Sequence, residues 1–216
     1  SATAISYISL AKELGGDGAA EILGSTVKTT ASYAAFANAA LGHIAETDDG
    51  HRASIMHIGT VVFPVIFALK SEVAIDGKDI IEATVAGYEL AIRVGECLNQ
   101  SHYNTWHTTA TAGTFGAAAA AAKLLKLSEE QTVWTLAHAG TQMAGLWQFL
   151  DDSCLTAKVL HPAKSAQNGI ISAFTARANI PGPSHIFEGE RGVANAYSKN
   201  SDLSYLIKDL GKTYKV

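Results

Sequence analysis

Charge is scarce in this sequence. Asp, Glu, Lys and Arg make up only 17% of its 216 residues. The acids outnumber the bases by 20 to 16, for a net charge of −4. No basic stripe is left over to neutralise phosphates, so nucleic acid is not an expected partner. Long apolar runs are missing as well. No uninterrupted segment approaches the ~18 residues that a membrane span needs, so no membrane partner is expected either. The opening residues lack the basic region and cleavage pattern of a secretory signal. Cysteine is nearly absent, with Cys97 and Cys154 far apart in different surroundings. Two lone cysteines do not make a disulfide framework and fit a reducing compartment, so a cytoplasmic location is expected. Period-two alternation and runs of β-branched residues are also wanting, which leaves little material for a sheet.

What is present is alanine. Hydrophobic residues make up 48% of the chain and lean on alanine, which loses no side-chain entropy in a helix. Disordered and coiled-coil classes are excluded by that composition. No linker or fixed-period repeat divides the chain, so one domain is expected over residues 1–216. The class predicted is all-α, with helices layered around two buried, alanine-rich ones.

Helices are predicted at residues 2–14, 32–45, 60–74, 80–98, 110–125 and 128–143, and from about Pro162 to Ile180. Shorter ones are predicted at 187–197 and 203–210. Residues 19–28 are ambiguous between helix and strand. Asp76-Gly77 reads as a turn, and residues 99–109 and 150–155 as loops. Pro64 is expected within about the first turn of its helix, where a missing N–H is tolerated. SEEQ at 128–131 is a capping box.

Against this apolar background, residues 43–59 (HIAETDDGHRASIMHIG) carry seven ionisable side chains. AAFANAAL precedes them and TVVFPVIFAL follows. Two further polar segments, 102–109 (HYNTWHTT) and 158–164 (KVLHPAK), also adjoin helices that must be buried. If the three meet, the pocket holds His57, His107 and His161, Lys158 and Lys164, Arg52, and Glu46, Asp48 and Asp49. Amines and a guanidinium bind carboxylates, and an imidazole or carboxylate moves a proton. Each residue also has a plainer reading. The lysines would be solvated, Asp48 and Asp49 would cap a helix, Arg52 would neutralise them, and His43 would be a hydrogen-bonded core residue. No metal site is expected. Asp48-Asp49 lacks a further acid one turn on, where Arg52 stands, and His43, Asp48 and Asp49 do not share a helix face.

The stretch AFANAALGHIAETDDGHRASIMHIGTVVFPVIFAL resembles the signature of the MmgE/PrpD family, which includes 2-methylcitrate dehydratase, cis-aconitate decarboxylase and iminodisuccinate epimerase. The resemblance continues through WHTTATAGTFGAAAAAAKLLKLS, AHAGTQMAGL, AKVLHPAKSAQNGIISAFTA and IFEGERG, nearly the whole chain. It implies a large helical domain joined to a smaller α+β lid, a homodimer, and chemistry without cofactor or metal. By this likeness residues 1–216 are the helical domain, truncated at both ends, with the lid and the final helices missing.

Carried over residue by residue, Glu46 falls where an aspartate is usual and Gly50 where a threonine can occur. His57 matches the histidine of an HPG motif, with Ile58 in place of proline. His107 matches the histidine before the glycine–alanine helix, and Lys158 the pocket lysine. His161 and Pro162 match a second HPG-like motif, with Ala163 in place of glycine. The implied activity is that of a lyase or isomerase acting on a small di- or tricarboxylate by proton abstraction next to a carboxylate. His107, Lys158, His57 and Glu46 are the candidate catalytic residues, and Asp48, Arg52 and His161 the candidate substrate-binding ones. The competing expectation is a non-catalytic helical module that dimerises or binds a ligand.

Overall fold

The computed structural model describes residues 1–216. Helix α1, Ala2–Gly15, starts where Ser1 accepts a hydrogen bond from the Ala4 N–H at 3.2 Å, and stops at Gly16, whose φ of 65° breaks the helical path. The ambiguous residues 19–28 resolve into a hairpin. Strand β1, Ala20–Glu21, pairs antiparallel with β2, Lys28–Thr29. Asn38 clamps its loop, accepting from the Leu23 N–H at 2.8 Å and donating to the Glu21 carbonyl at 3.0 Å.

Helix α2, Ala31–His43, is nearly all small side chains and is buried along most of its length. Helix α3, Gly59–Leu69, buries nine of its eleven residues, leaving Phe63 and Phe67 to reach the surface. It ends five residues short of expectation. Lys70, Ser71 and Glu72 turn out to solvent, and the Ser71 hydroxyl satisfies the Ala68 carbonyl at 2.8 Å. Pro64 is the sixth residue of α3 rather than part of its first turn.

Helix α4, Gly77–Tyr103, begins earlier than predicted. Asp76 and Asp79 form a capping box, so the expected turn is a helix start. It is broken at Asn99, where φ is 55° and ψ −164°. Residues 100–103 are therefore one helical turn inside a segment expected to be loop. Helix α5, Thr108–Leu124, follows, and α6, Glu129–Gly140, opens on the predicted Ser128–Gln131 box. Two single turns, α7 (Gln148–Asp151) and α8 (Leu155–Lys158), flank the expected 150–155 loop and take up half of it. Helix α9 is Leu160–Arg177. The helices expected at 187–197 and 203–210 shrink to α10, Val193–Tyr197, and α11, Ser204–Ile207, because the chain around Gly189 and Gly192 folds into consecutive turns.

The architecture is mainly helical, as its composition dictates. Helix α5 is the hub, burying fifteen of its seventeen residues against α3, α4, α6 and α9. Its lack of bulk is what admits four neighbours. A Cβ on Gly116 would stand 2.8 Å from the Gly87 carbonyl of α4, and a Cβ on Gly169 of α9 would collide with Ala117. Helix α2 packs on α3 and α9, and α1 covers α2. Arg93 of α4 is fully buried. It pairs with Glu89 at 3.0 Å and donates to the carbonyls of Tyr205, Lys208 and Thr213, tying the last residues to α4. No helix is long and apolar enough to cross a membrane.

Candidate active site

Residues 43–59 leave the end of α2, fold back and re-enter the core as α3. Three contacts shape the turn-back. The Asp49 carboxylate accepts from the Gly59 N–H at 2.9 Å and from the Tyr88 hydroxyl at 3.0 Å, joining the loop to the start of α3 and to α4. Asp49 is thus the capping residue that the plainer reading allowed, and burial together with its charge pushes the Tyr88 phenol far up. His51 and Met56 pair in an antiparallel bridge. Inside that bridge, His51 Nδ1 accepts from the Ser54 N–H at 3.2 Å and lies 2.9 Å from the Ser54 hydroxyl, so its proton belongs on Nε2. Glu46 and Ile55 both sit at a φ of 52°. For a β-branched residue that is a strained conformation, and Ile55 lines the cavity described below.

His43 closes α2 and is fully buried, as a core residue would be. Its Nδ1 lies 2.8 Å from Asp48, and the same carboxylate oxygen is 3.6 Å from His57 Nδ1. Burial works against ionisation of Asp48, but the His43 hydrogen bond and the nearby His43 and His57 outweigh it, holding the carboxyl below its usual range. His57 Nδ1 donates to the Asp49 carbonyl at 2.9 Å, and its backbone N–H donates to Thr109 Oγ1 at 3.0 Å. The proton on Nδ1 leaves His57 Nε2 as the free nitrogen.

The other two segments arrive from α5, α8 and α9. His107 occupies the position before α5, where its N–H donates to the Gly145 carbonyl at 2.9 Å. Its ring packs 4.6 Å from Trp147, and its Nδ1 is 3.0 Å from His161 Nδ1. Burial first, and then the basic groups around it (His161, Lys158, His43 and His57), hold His107 well below the usual histidine pKa. His161 is lowered to about 4, again mainly by burial. Lys158, at the end of α8, donates to both oxygens of Glu46 at 2.6 and 2.7 Å.

One cavity of about 340 Å³ joins these pieces. Its walls include Arg52, His57, His107, Lys158, Tyr103 and Trp147. The expected residues therefore meet. Glu46 enters through its pair with Lys158, and Asp48 stands behind His57. Arg52 is exposed at the cavity and does not neutralise the two acids, both of which have other partners. His161 stands behind His107 rather than on the wall. Lys164 points elsewhere, to Gln167 at 2.5 Å, and does not line the cavity.

Tyr103 and Trp147 were not legible in the sequence. They stack edge to face at 5.0 Å, and the Trp147 indole donates to the Trp106 carbonyl at 3.0 Å. Nothing in the pattern around Trp147 marked it out from a core aromatic. Spacing along the sequence hid one grouping of ligand atoms. The loop brings His43, Asp48 and His57 ligand atoms within 4.8 Å of one another, although no helix face does. Within that group His43 and Asp48 are at hydrogen-bond distance, 2.8 Å.

A helical domain that gathers imidazoles, an amine and a guanidinium around one polar cavity has the makings of a site for a small anionic molecule. The N-terminal domain of the MmgE/PrpD family matches residues 2–206, and the chain belongs to that family. Among its curated relatives, a cis-aconitate decarboxylase-like protein of Aspergillus oryzae is 29% identical over 185 residues, covering 82% of this chain and 38% of the relative. A cis-aconitate decarboxylase of Aspergillus terreus is 28% identical over 182 residues, covering 81% of this chain and 37% of the relative. The chain thus spans less than two-fifths of these relatives' length.

Proposed function

We propose that this domain carries part of the active site of a cofactor-independent lyase or isomerase that removes a proton next to a carboxylate of a small di- or tricarboxylate. The carrying observation is the shared cavity of Arg52, His57, His107 and Lys158. Arg52 and Lys158 would bind the substrate carboxylates. Lys158 would also stabilise charge as it develops on the adjacent carboxylate, while His57, through its free Nε2, would accept a hydrogen bond from the substrate. Glu46 holds the Lys158 ammonium in place. Asp48 holds His43, and its carboxylate faces His57.

His107 would move the proton. It is neutral near pH 7 because burial, and then its basic neighbours, disfavour its charge. A bound polycarboxylate would offset those neighbours, raising the affinity of His107 for a proton as the substrate arrives. Its reacting C–H bond would break with the electron pair left on carbon as an enolate, and the proton would go to His107.

The names of the relatives support decarboxylation, and the resemblance of the motifs extends the choice to dehydration and epimerisation. The full-length protein should be assayed on cis-aconitate, 2-methylcitrate and iminodisuccinate. Turnover of one of them without added metal or cofactor is expected. Inactivity on all three and on other small polycarboxylates would overturn the proposal. It would favour the second reading, a ligand-binding or dimerising helical module, which draws support from the engagement of the Lys158 amine by Glu46 within the chain.

A further inference from the structure

Two imidazoles meet nitrogen to nitrogen at the back of the cavity. His107 Nδ1 and His161 Nδ1 are 3.0 Å apart, and each ring has that contact as its one hydrogen bond within the chain. A contact of this length needs one N–H and one lone pair. Two facing lone pairs repel, and two facing N–H groups collide. The two rings must therefore hold their protons in complementary fashion. In the neutral pair, one ring carries its proton on Nδ1 and the other on Nε2. With one extra proton, an imidazolium donates to a neutral imidazole. A doubly charged pair cannot keep the contact.

The surroundings hold both rings to this arrangement. His107 is fixed by its backbone N–H to the Gly145 carbonyl, and Gly145 has a φ of 135° with no side chain to separate it from His161. Ser165, in the second turn of α9, ties that helix to the first turn of α5, donating to the Ala110 carbonyl at 2.6 Å. Trp147 packs on His107 and Phe149 on His161, at ring separations of 4.6 and 5.4 Å.

We propose that His161 is a positioning residue that fixes which nitrogen of His107 carries the proton, rather than a group that binds substrate. Its Nδ1 lone pair accepts from His107 Nδ1–H, which leaves His107 Nε2 unprotonated toward the cavity. His161 then carries its own proton on Nε2. When substrate is deprotonated, the C–H electron pair stays on carbon, a new N–H bond forms at His107 Nε2, and the imidazolium keeps its Nδ1–H on His161. Return of the proton from Nε2 restores the pair. The choice of His107 as the donor and its catalytic consequence rest on the function proposed above, whereas the complementary placement of the two protons rests on the contact alone.

The test starts without substrate. Long-range proton–nitrogen correlation on full-length protein labelled with [15N]histidine should show His107 protonated on Nδ1 and His161 on Nε2 near neutral pH. Both rings protonated on Nε2, or His107 protonated on Nε2 alone, would overturn the proposal. His161→Ala should leave His107 in mixed tautomers. It should also lower kcat by roughly ten- to a hundredfold with little change in KM. His161→Asn places an amide near the lost Nδ1 and should restore both the single tautomer and most of kcat. An Ala variant that folds normally and keeps the wild-type tautomer sinks the proposal, as does an Asn variant no better than Ala. Absence of turnover on every polycarboxylate would instead sink the functional reading, because the tautomer measurement uses none.

Discussion

His107 owes its properties to what surrounds it and not to what it is. A free imidazole titrates near neutrality, yet this one is buried behind Trp147 and faces basic groups, so it stays neutral. Lys158 is set by a different device, a two-oxygen grip from Glu46, whose own side chain is half exposed. If these two groups carry the chemistry, truncating either removes charge stabilisation or proton transfer that water does not replace. We expect His107→Ala and Lys158→Ala in the full-length protein each to lower kcat/KM by roughly a hundredfold or more, read from steady-state rates on the accepted substrate. Near-normal rates in both would defeat the assignment. The sequence made His57, His107, Lys158, Arg52 and Glu46 visible, because charged residues stand out in an apolar chain. It could not show that His161 lies behind His107 or that Lys164 turns away. Those outcomes depend on which side of α9 faces α5.

The polar segment between α2 and α3 is the element that makes the site. It is held by few contacts, and Asp49 supplies two of them. Asp49→Ala should leave the Gly59 N–H and the Tyr88 hydroxyl without their acceptor and cost ~1–3 kcal/mol, measured as a lower urea midpoint. Faster amide exchange at Gly59 should accompany it, and unchanged exchange there would show that the loop is held by other means. Helix α5 is the second element on which the site depends, since His107 is its cap. Gly116→Val should press on Ala91 and the Gly87 carbonyl, costing ~1–3 kcal/mol in the same measurement. A variant as stable as the parent would mean that α4 and α5 can move apart. Helices α2 and α5 were legible as buried from their small, alanine-rich side chains. Helix ends were less so. The Asp76 cap, the early stop of α3 and the break at Asn99 depend on local hydrogen bonds that composition does not reveal.

Across the whole molecule, buried neutral histidines make stability depend on pH. His102 has no exposed surface, donates to the Tyr197 carbonyl at 2.9 Å and accepts from Thr111 at 2.7 Å. Burial lowers its pKa to about 4, and His161 is lowered to about 4 as well. Unfolded histidines titrate near ~6.5, so between these values the unfolded chain binds more protons. Stability contributed by these neutral rings is complete above about pH 6.5 and is lost progressively as the pH falls toward about 4. For His102 alone the loss should be on the order of 3 kcal/mol. Urea titrations at several pH values should show it, and His102→Gln should flatten the dependence. A midpoint constant through that interval would rule the explanation out.

The sequence by itself determined the class and the ingredients. Alanine-rich, weakly charged segments form helices and pack closely, and their few ionisable residues gather where the chain cannot bury them alone. Only the tertiary structure decided which of those residues meet. Convergence of His57, His107 and Lys158 depends on three segments about fifty residues apart being carried to one end of α5. No local pattern encodes that, because side-chain contacts across helices are set by the packing of whole faces, and a small rotation of α9 would part His161 from His107.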